Sequence, residues 1–590
     1  MIKQPCRNPS IALLAALLFA VLAAGTFLST KPFYSHESLW EADKDSGSFE
    51  LPFVQKKAVP GQKTLRFTMR VGYFHPVKFK TYVQNVVDYI KVNGQRIDYY
   101  APGVVNLAPY LHAGDNSIEV GIRSFSIFQA YFYWFPALAD FWLQVLIALC
   151  LCSLGFGLRW IQLIRPTWMK GGEAIILLSA FAIRMAYVCA TPYFLRAYDW
   201  DGHLTYVQFV AKHLAIPPYD LDYETYQPPL FYGLLGLLGH AVYGFGGSYE
   251  SALIAWQLAT LGLAALTLAA ALWIARLLFP DEAHYKWRLW LLAALALVPG
   301  LVFFSSRINN DSLFAPISYA FLGALLCFWK YRRWGTLIAA SVFTGLGLLT
   351  KSNAMIFVPI LGMTLFFAAD MNWKRKAQFM AVYLAIIGAI AGWFVLKRAT
   401  VSRDSASFIV ASLGGVDQET QRITPTVTKF LTFNPIEMVK KPFMWVGKSQ
   451  PRHDHFPEFF FQTALFSEGT FGLGYIPLVR VILISALFLL AFSCWGLLAT
   501  VRSTASLGWP LAVTILGFVS AQMLYVVQLP FACCQNFRFS ILLLAPVLYF
   551  AFKGMSVLPG AIQRFGVIIA GIFVGTSALC ILLLAGTLDW

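Results

Sequence analysis

The feature that most constrains this chain is the recurrence of apolar runs about twenty residues long, separated by short segments that carry most of its net positive charge. Crossing hydrocarbon takes roughly 20 consecutive apolar residues in a helix, because a helix satisfies its own backbone polar groups. Of the 590 residues, 58% are hydrophobic and 13% charged, whereas soluble domains hold about 25% charged residues. A soluble globule is therefore excluded and a polytopic, all-α membrane protein expected. The net charge of +16 sits in the short loops, where cytoplasmic loops are marked by cations. It reads as topology and attraction to membrane lipids, and nucleic acid is not an expected partner. The nine cysteines are scattered without metal-ligand spacing, and the adjacent Cys533 and Cys534 are poorly placed for a disulfide.

The runs fall at about 11–28, 136–158, 173–193, 251–275, 287–305, 313–329, 335–350, 354–369, 378–396, 478–500, 507–528, 539–552 and 565–586, about thirteen spans in all. Lys3 and Arg7 before the first run place the N-terminus inside, whether that run is a helix or a cleaved signal peptide. The run at 228–245 is best laid along the outer interface. Arg276, Lys286 and Arg288, then Lys330, Arg332 and Arg333, then Lys374, Arg375 and Lys376 all then fall inside. Three domains result: an N-terminal helix at 1–30, an extracytoplasmic segment at 31–135, and a polytopic domain at 136–590 with outer loops at 194–250 and 397–477.

The segment at 31–135 has a different period. In Leu65-Arg-Phe67-Thr-Met69-Arg-Val71 and Ile118-Glu-Val120-Gly-Ile122 apolar and polar residues alternate, the mark of half-buried strands. Asn93-Gly94 lies between two such stretches and predicts a hairpin whose two central residues have positive φ. A small β-sandwich between the first and second helices is expected. Ile90 to Val120 resembles the jelly-roll modules attached to many glycoside hydrolases, which implies either sugar binding or a plain spacer. Near the end of the second outer loop, Phe459 to Gly472 reads as an amphipathic segment lying on the membrane surface.

Chemistry gathers at one membrane edge. Asp199-Trp-Asp201-Gly-His203 follows the third run, and Tyr226-Gln227-Pro228-Pro229 comes soon after. This string resembles the first extracytoplasmic loop of the C-type (GT-C) membrane glycosyltransferases, which take a sugar from a polyprenyl-phosphate carrier. The resemblance is best over 173–360 and looser beyond. It implies a GT-C fold, a polyprenyl-phosphate-linked sugar as donor, and a glycan, lipid or protein as acceptor. It also implies Asp199 or Asp201 as the base that takes the acceptor proton, with His203, Tyr226 and Gln227 placing substrate. Many relatives read Asp-Glu where this chain reads Asp-Trp-Asp, so the choice of base stays open, and either acid is also a natural N-cap for the next helix.

Departing phosphate needs cations. Arg184, inside a span, is a functional candidate by its cost there, or else the partner of an acid on a neighbouring helix. Arg307 and Asp311, in Arg307-Ile-Asn-Asn-Asp311, match the family's second polar loop. Lys351 matches its threonine-lysine motif, and Arg538 its aspartate-phenylalanine-arginine string, with Asn536 in place of the aspartate. No cofactor is expected and no metal ligand is assigned; a divalent ion between Asp199 and Asp201 is compatible with the pair but not required by a monophosphate donor. The implied setting is a bacterial inner membrane with the site facing outward. Two rivals stay open: a polymerase or ligase using a diphosphate-linked glycan, and a transporter. The absence of an internal repeat in the sequence weighs against the transporter.

Overall fold

The computed structural model describes strand segments between 33 and 137, and residues 170–401 apart from 192, 194, 195, 198 and 220. It also describes residues 421–443, 454–500 apart from 469, 470 and 472, and 506–585. The expected helix at 11–28, nearly all of the run at 136–158 and parts of the loop at 397–477 lie outside the described residues. Two compact units are present: 1–164 with 185–192 and 583–588, and 165–184 with 193–582 and 589–590.

The first unit holds ten strands: β1 (Phe33–Tyr34), β2 (Leu39–Ala42), β3 (Asp45–Ser48), β4 (Phe53–Gln55), β5 (Gly61–Val71), β6 (Lys78–Val83), β7 (Val86–Val92), β8 (Gln95–Ile97), β9 (Gly114–Ser124) and β10 (Ala130–Ala137). They form two antiparallel sheets, one in the order β3-β2-β5-β9-β7-β8 with β1 also on β5, the other β4-β10-β6. Alternation sets the faces: Phe67, Ile90, Val92, Ile118 and Val120 are buried, while Glu119 on the opposite face takes Arg66 (2.9 Å) and Lys91 (2.8 Å). Such cross-strand pairs fix register, since a slip of one residue would invert every side chain. The β7–β8 turn has φ of 52° at Asn93 and 83° at Gly94, as the Asn-Gly pair predicts. Asn93 also binds Asn116 Oδ1 (2.9 Å) and accepts from the Ser117 amide (2.9 Å), tying the turn to β9.

The second unit is helical. In chain order the helices are α1 (Gly171–Ala190), α2 (Trp200–His213), α3 (Leu230–Gly244), α4 (Tyr249–Leu278), α5 (Tyr285–Leu297), α6 (Asp311–Tyr331) and α7 (Trp334–Leu348). They continue with α8 (Phe357–Phe366), α9 (Trp373–Val401), α10 (Phe456–Phe466), α11 (Ile476–Thr500), α12 (Gly508–Gln528), α13 (Leu544–Ser556) and α14 (Gly560–Leu584). Among the described residues, eight helical segments are long and apolar enough to cross a bilayer, or nine if one bent pair is a single span. The chain is an integral membrane protein.

Two of the expected spans differ from simple rods. The run at 287–305 bends by 58° between Leu297 and Pro299, because proline has no amide to continue the helix and crowds the preceding turn. The runs at 335–350 and 354–369 become the short helices α7 and α8, interrupted at Thr350-Lys351-Ser352-Asn353. Where α11 crosses α13, Gly496 and Gly554 let the backbones touch: a methyl on Gly554 would run into the Phe492 carbonyl.

α3 packs on α2 with contacts that climb both helices in the same direction. His203 meets Tyr232, Gly236 meets Val210, and His240 Nδ1 meets the Ala211 carbonyl at 2.9 Å. The two are therefore parallel neighbours, and residues 214–229 return the chain to the starting level. The segment expected to lie on the membrane surface, α10, is instead inside the protein: Phe459, Gln462, Thr463, Leu465 and Phe466 are all buried. Its apolar and polar faces are both used, since Thr463 Oγ1 accepts the Phe537 amide (3.0 Å) while its own hydroxyl donates back to the Phe459 carbonyl (2.8 Å).

Candidate active site

Seven chain segments meet around Asp199. This residue holds the N-cap position of α2 with φ 51°, and its side chain makes no capping bond. Left-handed backbone is uncommon outside glycine but is tolerated by aspartate. The carboxylate turns instead to Arg538, which donates to Oδ2 at 3.2 Å; the two side chains are 35% and 14% exposed. Asp201, one helical step on, is buried and accepts the Tyr223 hydroxyl (2.5 Å). Burial pushes its carboxyl above the usual range. Asp199 is thus the more accessible of the two acids, and neither caps α2 in the way an N-terminal aspartate often does.

His203 lies on the inner face of α2. Its Nδ1 meets the Tyr232 hydroxyl at 2.7 Å, and burial lowers its pKa to about 4, so the ring is neutral at pH 7. Behind it, Tyr206 and Tyr232 stack at 3.9 Å between centroids. Glu224, from the return loop, is buried and its carboxyl is held well above the usual range by burial, with the Asp199 charge adding to the effect. Gln227 Nε2 donates to Glu224 Oε2 and to the Tyr226 hydroxyl, both at 2.9 Å. Gln227 Oε1 accepts from Asn310 (3.1 Å), whose amide also reaches the Thr350 carbonyl (3.3 Å). Diproline 228–229 ends this loop, and the first amide of α3, that of Leu230, is taken by the Leu349 carbonyl (2.8 Å).

The cations come from four other segments. Asp311 at the start of α6 pairs with Lys351, and both are buried. Lys351 and Arg538 lie over the same Phe539 ring, at 4.9 and 5.0 Å. Asn536 accepts the Arg538 amide (2.8 Å) and donates to Glu468 (2.5 Å). The asparagine that replaces the family's aspartate therefore holds Arg538 in place. Burial pushes the Glu468 carboxyl up to about 7. Arg307 donates to Ser467 Oγ (3.0 Å), next to Glu468. Arg398, at the end of α9, donates to Ser352 (2.9 Å) and sits over the Tyr226 ring at 5.5 Å.

Of the ten residues singled out from sequence, nine belong to this assembly: Asp199, Asp201, His203, Tyr226, Gln227, Arg307, Asp311, Lys351 and Arg538. Arg184 does not. It donates to the carbonyls of Ala296 (2.7 Å) and Ala180 (3.2 Å), the first freed where α5 breaks before Pro299, and no acid pairs with it among the described residues. It lines a small cavity with Thr260, Thr267, Leu301 and Ser312. Glu224, Glu468, Asn310 and Arg398 were not foreseen. Two of them had a sequence signal: Glu224, three residues before Gln227, and Asn310, inside the Arg307–Asp311 string.

The site has one further property. Asp199, His203 and Glu224 each offer a ligand atom, and these atoms lie within 4.8 Å of one another. This is a donor set suited to a divalent ion, and it differs from the Asp199–Asp201 pair that sequence suggested.

No protein-family model and no curated protein matches the chain. Among solved structures it is similar to the apo oligosaccharyltransferase of Archaeoglobus fulgidus, with TM-score 0.44 and 14% identity over 71% of this chain and 56% of that one. It thus spans little more than half the length of that protein. Similarity also extends to ArnT from Cupriavidus metallidurans bound to undecaprenyl phosphate (TM-score 0.33, 14% identity, 65% of this chain and 77% of that one). A third is arabinosyltransferase EmbB from Mycobacterium smegmatis (TM-score 0.33, 10% identity, 99% and 64%). These three are polytopic membrane glycosyltransferases of the GT-C fold, the family that the Asp199 loop resembles.

Proposed function

We propose that the protein is a glycosyltransferase that moves a sugar from a polyprenyl-monophosphate carrier to an acceptor hydroxyl at the outer face of a membrane. The observation that carries this reading is the accessible Asp199 carboxylate beside Arg538, with a second cation, Lys351, over the same aromatic ring. Asp199 takes the proton from the acceptor hydroxyl. The acceptor oxygen bonds to the anomeric carbon as the bond from that carbon to the phosphate oxygen breaks, and the electron pair leaves with the phosphate. One displacement inverts the anomeric centre. Arg538 stabilises the developing phosphate charge, aided by Lys351 and, from the Glu468 side, Arg307. Gln227, Tyr226 and His203 orient the sugar, and Asp201, occupied by Tyr223, supports the loop. A bacterial inner membrane, with a glycan, lipid or protein acceptor outside, completes the reading.

The test is transfer from a labelled polyprenyl-phosphate sugar by purified protein in lipid. Asp199→Asn should lose about 10²- to 10⁴-fold, the usual contribution of a general base, and Asp201→Asn clearly less. Full activity in both folded variants would falsify the proposal.

A second reading has one observation behind it, the Asp199, His203 and Glu224 donor set. A divalent ion there would suit a diphosphate-linked donor, whose extra charge a metal neutralises. This is the polymerase or ligase alternative.

A further inference from the structure

We propose that the ion pair between Arg538 and Asp199 is a lock that donor phosphate opens, so that the base becomes free only once the donor is bound. The inference rests on the proposed function and goes beyond it by fixing the order of events.

Without donor, the catalytic carboxylate and the main phosphate-binding cation neutralise each other at 3.2 Å. A carboxylate held by a guanidinium is a weak proton acceptor, because losing that charge-assisted bond opposes protonation. Donor phosphate, a phosphodiester whose one negative charge is shared by two oxygens, competes for the same guanidinium and can take two of its N–H groups at once. Arg538 need not move to accept it: its backbone amide is held by Asn536 and its guanidinium rests on Phe539. Asp199 is the mobile partner. It makes no capping bond, although it stands at the helix position where an aspartate accepts the N2 or N3 amide. Once displaced, the carboxylate has those amides as an alternative partner and the acceptor hydroxyl within its range.

The other acid–cation pair of the site cannot serve this way. Asp311 and Lys351 have side-chain exposures of 3% and 7%, so opening that pair would strand a buried charge. The Asp199–Arg538 pair, at 35% and 14%, can exchange partners at the surface.

The inference makes an unusual prediction, that removing the catalytic base tightens donor binding. The experiment measures binding of a polyprenyl monophosphate carrying no sugar to the full-length protein in nanodiscs, by intrinsic fluorescence, for the wild type, Asp199→Asn and Asp201→Asn. Asp199→Asn should bind about two- to five-fold tighter, the factor by which an ordinary partly exposed ion pair occupies its partner. Asp201→Asn, which removes a nearby acid that does not touch Arg538, should bind as the wild type does. Equal tightening in both variants would mean general relief of charge repulsion, and unchanged or weaker binding by Asp199→Asn would mean that the pair positions Arg538; either result overturns the lock. If Asp199→Asn does not fold, Asp199→Ser, a good N-cap residue, gives the same comparison. Failure of the lock is distinct from failure of the proposed function, which shows as full transfer activity in both Asp199→Asn and Asp201→Asn.

Discussion

Lys351 offers a test of whether a buried cation belongs to the ligand or to the fold. Its only acidic partner among the hydrogen bonds and ion pairs described is Asp311, and both side chains are nearly inaccessible. At contact distance and an effective dielectric constant near 20, two unit charges attract by about 4 kcal/mol. Desolvation consumes most of that, so the intact pair adds little net stability, while breaking it strands Asp311 at a cost of about 3–5 kcal/mol. Lys351→Met should therefore be strongly destabilised, Asp311→Asn likewise, and Asp311→Asn/Lys351→Met nearly restored, so that the coupling energy approaches the sum of the two single losses. Unfolding in mixed micelles, with rising mole fraction of sodium dodecyl sulfate, measures this. The double variant should fold yet transfer poorly, because the second phosphate cation is gone. Additive losses in the double variant would refute the argument and show that the two residues act independently; a Lys351→Met protein as stable as the wild type would assign the lysine to ligand alone.

Glu468 should make stability fall with rising pH. Its folded pKa of about 7 lies above the ordinary 4.5, so between these values the unfolded chain gives up a proton that the native one keeps; about 3 kcal/mol is lost across that window, and the slope vanishes above it. Thermal midpoints from pH 5 to 8 should drop more steeply in the wild type than in Glu468→Gln. Arg184→Leu should leave the Ala296 carbonyl without its donor and lower stability by about 1–3 kcal/mol, with the Michaelis constant for donor unchanged, as unfolding and steady-state kinetics will show. Chelation separates the two donor readings: with a monophosphate donor, activity should survive exhaustive treatment with ethylenediaminetetraacetate, whereas a loss restored by manganese and abolished in Glu224→Gln favours the diphosphate donor.

Much of the site was legible because each of its segments carries polar residues where an apolar run ends. Asp199, Gln227, Asp311, Lys351 and Arg538 stand out in a chain this apolar, and their order along it matched a known pattern. Glu224 and Glu468 did not stand out, since a single acid in a polar loop looks like any other until the fold buries it. Arg184 is the opposite case. Its burial was plain from sequence, but the broken helix that supplies its carbonyl partner depends on where Pro299 comes to lie. α10 was misplaced because amphipathicity reveals a polar face without saying whether water, lipid headgroups or the amide of Phe537 will meet it.

The parallel packing of α2 and α3 has an electrostatic consequence. Because both helices start at the same level, with His203 and Tyr232 in contact near their first turns, their peptide dipoles point the same way and do not cancel. Each N-terminus carries the equivalent of about +0.5 charge, and the start of α6 comes in beside them through the Asn310–Gln227 bond. Three helix beginnings thus favour an anion in one place, through backbone alone. Loss of any one cationic side chain should then weaken the hold on phosphate without removing it, and no single substitution of Arg538, Lys351 or Arg307 should abolish donor binding.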